Sequence, residues 1–132
     1  MTVKECYSQM GGDYNNVLSR FYDEAMIKRL LGRFIDDTSF RALEQAMAEG
    51  DVQAAFNAAH TLRGVCQSLS FTQLCGTLDP ITEALRGGNI AAAAADMDKA
   101  KREYDVTLSA IRACMENWIW NKKKKWKKML LQ

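Results

Sequence analysis

The chain has one proline, one histidine and few β-branched residues, and each shortage limits what the protein can be. No run of alternating apolar and polar residues appears, so β-strands are not expected. Helix-forming residues dominate, which predicts an all-α fold. With 132 residues and 48% hydrophobic content, the chain can form a single globular domain with a substantial core.

Motifs for catalysis and metal binding are also missing. The chain has no glycine-rich phosphate loop and no serine placed near a usable base, so we expect no enzyme activity and no intrinsic cofactor. Its four cysteines lack the Cys-x-x-Cys spacing of zinc sites, and one histidine cannot complete such a site, so no metal is expected. No apolar run suits secretion or membrane spanning. We therefore expect a cytoplasmic protein without disulfides, with its thiols at Cys6, Cys66, Cys75 and Cys114.

Caps and breaks divide the chain into helices with short connections. Gly50, Phe71 and Gly87-Gly88 mark connections, which favours antiparallel neighbours and an up-and-down four-helix bundle. Pro80 should kink or divide its helix after Asp79. The predicted helices cover residues 2–9, 13–20, 23–34, a run ending at 49, 52–69, 73–86 and 90–118. We assign 1–22 to additional short N-terminal helices that cap the bundle, 23–118 to the bundle and 119–132 to a tail, within a single domain.

The helix predicted over residues 52–69 carries the only histidine. An apolar stripe at core-facing spacing leaves the opposite face of this helix to solvent. Residues three and four apart share a face, so a polar stripe forms from Asn57, His60, Arg63, Gly64 and Gln67. A neutral imidazole exposed to water can accept a phosphoryl group on a ring nitrogen. A glycine inside a helix costs about 1 kcal/mol relative to alanine, which indicates either close approach of a partner or packing clearance.

The run His60-Thr61-Leu62-Arg63-Gly64, followed by apolar and small residues to Phe71, resembles the His-x-x-Lys-Gly motif of the histidine-containing phosphotransfer (HPt) domain family. The resemblance covers about residues 23 to 116. It implies a phosphohistidine on one helix of a four-helix bundle, which carries phosphoryl groups between aspartates of response-regulator receiver domains. The partners it implies are such receivers, a hybrid sensor kinase, or both, with Mg²⁺ supplied by the receiver.

The resemblance assigns roles to individual residues of the stripe. His60 would be the phosphoacceptor, Arg63 and Gln67 would stabilise phosphate, and the docking residues would be Asn57, Thr61 and Gly64. Arg63 replaces the usual lysine, which keeps the charge but changes its geometry. Ser70 stands where glycine is common, and Gln67 where small residues are common. These departures support an alternative, a degenerate HPt-like interaction module without phosphotransfer.

Charge is distributed unevenly along the chain. Residues 1–121 hold twelve Lys and Arg against sixteen Asp and Glu, whereas residues 122–132 hold six lysines and no acidic residue. With Trp118, Trp120 and Trp126, this tail could contact an anionic membrane surface, although a solvated helix end is the more economical interpretation. No signature of a nucleic-acid module accompanies it, so no nucleic-acid partner is expected. We expect a monomer.

Overall fold

The computed structural model describes residues 1–131, with side chains for 1–116 and 127–131. This part of the chain is helical and contains no strand, as the sequence predicts. Its helices are α1 (Val3–Met10), α2 (Tyr14–Phe21), α3 (Glu24–Ile35), α4 (Ser39–Glu49), α5 (Val52–Ser68), α6 (Thr72–Arg86) and α7 (Ile90–Leu130).

Local caps fix most of the helix boundaries. Asp51 accepts a hydrogen bond from the backbone N–H of Ala54 (3.1 Å), and Asn89 accepts one from Ala92 (3.0 Å). Gly50 ends α4 in the left-handed conformation (φ 69°), which glycine adopts without steric cost. Short polar side chains and glycine therefore determine where α5 and α7 begin.

Helices α4 to α7 pack on one another in chain order and form the up-and-down bundle, while α1 and α3 pack against α7. The core between them is made of buried aliphatic and aromatic side chains that include Leu31, Phe34, Leu43, Leu62, Leu74, Leu78 and Ile111. Ala93 and Ala100 are fully buried, so the alanine-rich start of α7 lies close to its neighbours.

Two predicted boundaries were wrong: the division of a helix at Pro80, which was predicted as the alternative to a kink, and the end of the last helix. Pro80 lies inside α6, which is not divided after Asp79. Pro80 lacks the N–H that would bond the carbonyl of Gly76, but both residues are exposed, so water can reach that carbonyl. Buried Leu78 and Ile81 hold the surrounding turns.

The second wrong boundary is the end of α7. This helix runs to Leu130 and does not stop near Trp118, because lysine is a good helix former and nothing before Leu131 acts as a breaker. The side chains of residues 117–126, which include Trp118, Trp120 and Trp126, lie outside the described residues. Among the residues described, no helix is both long enough and apolar enough to span a bilayer.

Candidate functional site

Helix α5 presents one apolar and one polar face, as its sequence predicts. The side chains of Ala55, Ala59, Leu62 and Cys66 are fully buried and fix the rotation of the helix about its axis. The opposite face holds exposed Asn57, His60, Thr61, Gly64 and Gln67, which we call the His60 face. His60 therefore lies in the middle of a capped helix with its imidazole towards solvent.

The imidazole of His60 stacks against the ring of Phe56, one turn earlier on α5. The two ring centroids are 5.7 Å apart and the ring planes differ by 19°. The guanidinium of Arg86, at the end of α6, lies over the same Phe56 ring at 5.1 Å from its centroid. Phe56 thus gives the imidazole a rigid neighbour and places a cation of α6 near the His60 face.

The surface beside His60 is open at Gly64. A Cβ built at Gly64 would meet no atom within 4 Å in the described part of the chain, the helix's own nearby backbone aside. Packing clearance within this domain therefore does not account for the glycine. The remaining explanation from the sequence, close approach by another molecule, gains support because the open space lies one turn from the imidazole.

Arg63 is turned towards α6 and has two carboxylates beside it. Its Nε atom lies 2.6 Å from Asp79 Oδ1, and its guanidinium lies 4.0 Å from Glu83 Oε1. Neither Arg63 Nε nor Asp79 Oδ1 is exposed to water, and the N–H is not aligned for a hydrogen bond. The contact is a close charge pair across two helices. A role for Arg63 and Gln67 in holding phosphate stays a prediction.

Glu83 extends this charge pair into a row of alternating charges. Its Oε2 atom lies 3.3 Å from Arg86 Nε, so Glu83 stands between two arginines. We call Arg63, Asp79, Glu83 and Arg86 the ion-pair row. About half of the Arg86 side chain and more than half of the Glu83 side chain are exposed, so the pair between them contributes little to stability. Arg63, the member of the row on α5, lies three residues after His60.

The N-terminal helices bind the end of α5. Arg20 donates to the carbonyls of Gln67 (2.8 Å) and Ser68 (2.6 Å), and the Tyr7 hydroxyl donates to that of Leu69 (2.8 Å). These carbonyls lie at the end of the helix, where α1 and α2 supply side-chain donors to them; the Gln67 carbonyl also accepts from the backbone N–H of Ser70 (3.1 Å). Ser70 adopts φ 58° and donates to Asn16 Oδ1 (2.6 Å).

A groove of about 470 Å³ lies between these helices at the same end of α5. Asn16 and Arg20 of α2 form one wall, and Gln67 of the His60 face and Asp79 of the ion-pair row lie along the others.

The positive φ of Ser70 explains why this position favours glycine, and the bond to Asn16 offsets the strain.

The thiols near the groove are protected from ionisation. Burial raises the pKa of Cys66, and the nearby Cys75 adds to the shift. Burial also raises the pKa of Cys75, as does the charge of Asp79, while Arg63 lowers it. Both groups remain protonated near neutral pH and are poor nucleophiles. The exposed imidazole of His60 is therefore the candidate nucleophile of this surface.

Comparison with known proteins identifies the fold. The family model of the Hpt domain matches residues 29–118, which include α5, α6 and most of α3. The chain belongs to the Hpt domain family. Its members are histidine phosphocarriers of phosphorelays and not kinases, and they interact with receiver domains and kinases of two-component systems. No curated protein and no solved structure matches the chain.

The sequence predicted the exposed residues of the His60 face but missed the α6 residues beside it. Asp79, Glu83 and Arg86 lie four and three residues apart on α6, a spacing that places them on one side of a helix. That spacing could have indicated a charged face. Its contact with Arg63 depends on the rotation of two packed helices, which no local pattern specifies.

Proposed function

We propose that this Hpt domain is a phosphocarrier that accepts a phosphoryl group on His60 from a phospho-aspartate of a receiver domain and donates it to another. The observation that carries the proposal is the exposed imidazole on the rigid α5 helix, with open space above Gly64. A partner's phosphorylated aspartate can approach the ring in line without meeting a side chain at that position.

In the proposed step, a ring nitrogen of His60 attacks the phosphorus atom. The N–P bond forms as the P–O bond to the aspartate breaks, and the electron pair of the broken bond stays on the aspartate carboxylate. Phosphoryl transfer depends chiefly on positioning and on cations near the equatorial oxygens. We propose that the receiver supplies Mg²⁺ with its acidic ligands, and that this chain supplies His60 and cationic Arg63.

The roles of the other residues follow from their positions. Asn57, Thr61 and Gly64 lie on the exposed His60 face, where we propose that the receiver docks. Gln67 lies one turn beyond Arg63 and is exposed, so its amide can donate to a phosphate oxygen. A cytoplasmic location, a monomeric state and the absence of a nucleic-acid partner remain predictions of the sequence.

The test is transfer of label from phosphorylated receiver domains with Mg²⁺. We expect acid-labile, base-stable label on the wild-type chain and none on His60→Gln, which retains a polar side chain of similar length. A thermal unfolding curve for His60→Gln that matches the wild type would show that the fold is intact. Full labelling of the variant would reject His60 as the acceptor.

A second candidate is an interaction module that binds receivers without phosphotransfer. The contact of Arg63 with Asp79 favours it, because this contact must be broken before the arginine can meet phosphate. Exposed Met129, Leu130 and Leu131 follow the lysine-rich run and favour membrane attachment of such a module. Receiver binding that survives His60→Ala with no label on the wild type would establish the module, and salt-sensitive liposome binding lost on deletion of 122–132 would establish the attachment.

A further inference from the structure

Helix α5 carries one cation, Arg63, on the same side as His60. The ion-pair row places the carboxylates of Asp79 and Glu83 next to this cation. Arg63 lies three residues after His60 and is therefore its neighbour on the helix surface. Its guanidinium contacts Asp79 at 2.6 Å and Glu83 at 4.0 Å. With 27% of its side chain exposed, Arg63 is still accessible from the surface.

A phosphoryl group on His60 would compete with these carboxylates. It brings between one and two negative charges and three acceptor oxygens at neutral pH. Arginine binds phosphate and carboxylate with the same fork of N–H donors, so each contact of Arg63 with Asp79 is one that phosphate must replace. About half of the Asp79 side chain is exposed, and the Nε–H of Arg63 is not aligned for a hydrogen bond to it, so the existing pair can be exchanged.

We propose that Asp79, assisted by Glu83, regulates the phosphorylation of His60 by holding Arg63 away from the imidazole. The inference rests on the proposed function. Asp79 and Glu83 are positioning residues, since they act through Arg63 and do not touch the reacting atoms. Their effect is to disfavour phosphohistidine, which keeps the phosphoryl group easy to pass on to a receiver.

The experiment uses phosphoramidate, a small anionic donor that needs no docking surface. The imidazole nitrogen forms an N–P bond to its phosphorus, the N–P bond of phosphoramidate breaks, and ammonia leaves and takes up the proton that the imidazole loses. The labelling rate of His60 in the full chain is followed by ³¹P NMR. We expect Asp79→Asn to be labelled about three to ten times faster than the wild type, as loss of one nearby charge in a partly screened site implies.

Matched variants separate this mechanism from a general charge effect. Asp105→Asn removes a carboxylate that is also half-exposed and paired, with Lys101 at 3.4 Å, but lies on α7. It should label at the wild-type rate. Glu83→Gln should act as Asp79→Asn does but more weakly, because its contact with Arg63 is longer and is shared with Arg86. Asp79→Glu should remain close to the wild type.

The decisive comparison is the double variant Arg63→Ala/Asp79→Asn. If Asp79 acts through Arg63, the acceleration by Asp79→Asn disappears when Arg63 is already alanine. An equal acceleration in both backgrounds would overturn the inference, as would a wild-type rate for both Asp79→Asn and Glu83→Gln. Complete failure of phosphoramidate to label His60 would also overturn it. If phosphoramidate labels His60 but phosphorylated receiver domains do not, the proposed function is rejected, and the comparison of the variants with phosphoramidate remains valid.

Discussion

Two surfaces of the bundle each combine a cation, an aromatic ring beneath it and a second ring stacked on the first, but their aromatic rings differ in exposure to solvent. Beside the His60 face, the Arg86 guanidinium lies over Phe56, which stacks on His60. Where α4 meets α7, Lys101 lies 5.6 Å from the ring centroid of Phe40, and Phe40 stacks on Tyr104 at 4.3 Å. We call Phe40, Lys101 and Tyr104 the Phe40 cluster.

The aromatic rings of the two surfaces differ in burial. Phe40 is 1% exposed and belongs to the core, whereas Phe56 is only partly buried. The Lys101–Asp105 pair joins residues of one helix, while Arg63 and Asp79 join two helices. A cation over an aromatic ring therefore occurs on both surfaces and does not by itself distinguish the His60 face. What distinguishes the His60 face is a reactive group next to open space.

The largest effect that tests this comparison concerns stability. Phe40→Ala should lower the free energy of unfolding by about 3 to 5 kcal/mol, because it removes a buried ring and leaves a cavity. Phe56→Ala should cost about 1 to 2 kcal/mol, since its ring is partly exposed already. Urea unfolding monitored by circular dichroism measures both. Equal losses would show that Phe56 is as much a core residue as Phe40, and the contrast between the surfaces would be lost.

The next effect concerns docking at Gly64. Gly64→Gln should slow transfer from a phosphorylated receiver by about ten- to a hundredfold, because a long side chain would occupy the space that the partner needs. Gly76 provides the matched control, since it is also a helical glycine where a Cβ meets no described atom within 4 Å. Gly76→Gln should leave the transfer rate close to the wild type.

A small phosphoryl donor distinguishes an effect of Gly64→Gln on receiver docking from an effect on the reactivity of His60. Gly64→Gln should accept label from phosphoramidate about as fast as the wild type, since that donor needs no docking surface. Slowing with both donors would mean that the glutamine obstructs the imidazole itself. Unchanged transfer from the receiver would show that the open space above Gly64 is not a docking surface.

Comparison of sequence and structure shows which parts of this site are locally encoded. The exposure of His60 and Gly64 follows from the period of buried residues along α5, and the start of α5 follows from Asp51, so both could be predicted. The uninterrupted helix at Pro80 could not, because it depends on solvent access to the Gly76 carbonyl and on the burial of Leu78. The contact of Arg63 with Asp79 depends on how α5 and α6 pack.

The attachment of α1 and α2 to the end of α5 was also beyond the sequence. Ser70 could be recognised as a departure from glycine, but its bond to Asn16 joins residues that are 54 positions apart. Such contacts require the tertiary structure. Propensity and capping determine the helices, whereas the packing of helix on helix determines which charged and polar groups surround His60.

The smallest predicted effect tests how much the attachment of α1 and α2 to the end of α5 contributes to stability. Ser70 and Tyr22 are the described residues other than glycine with positive φ, 58° and 59°. Tyr22 is 86% exposed, so Tyr22→Gly should stabilise the protein by up to about 1 kcal/mol through relief of strain. Ser70→Gly should change stability by less than about 0.5 kcal/mol, because the hydrogen bond to Asn16 is lost as the strain is relieved.

Ser70→Ala completes this test, since it keeps the strain and removes the hydroxyl. We expect it to be less stable than Ser70→Gly by about 1 kcal/mol in urea unfolding. If Ser70→Gly instead stabilises the protein as much as Tyr22→Gly, the bond to Asn16 contributes nothing. The end of α5 would then be held by Arg20, by Tyr7 and by the backbone N–H of Asp13, which donates to the Ser70 carbonyl (2.9 Å). The serine hydroxyl would then not contribute to the attachment of α2 to the end of α5.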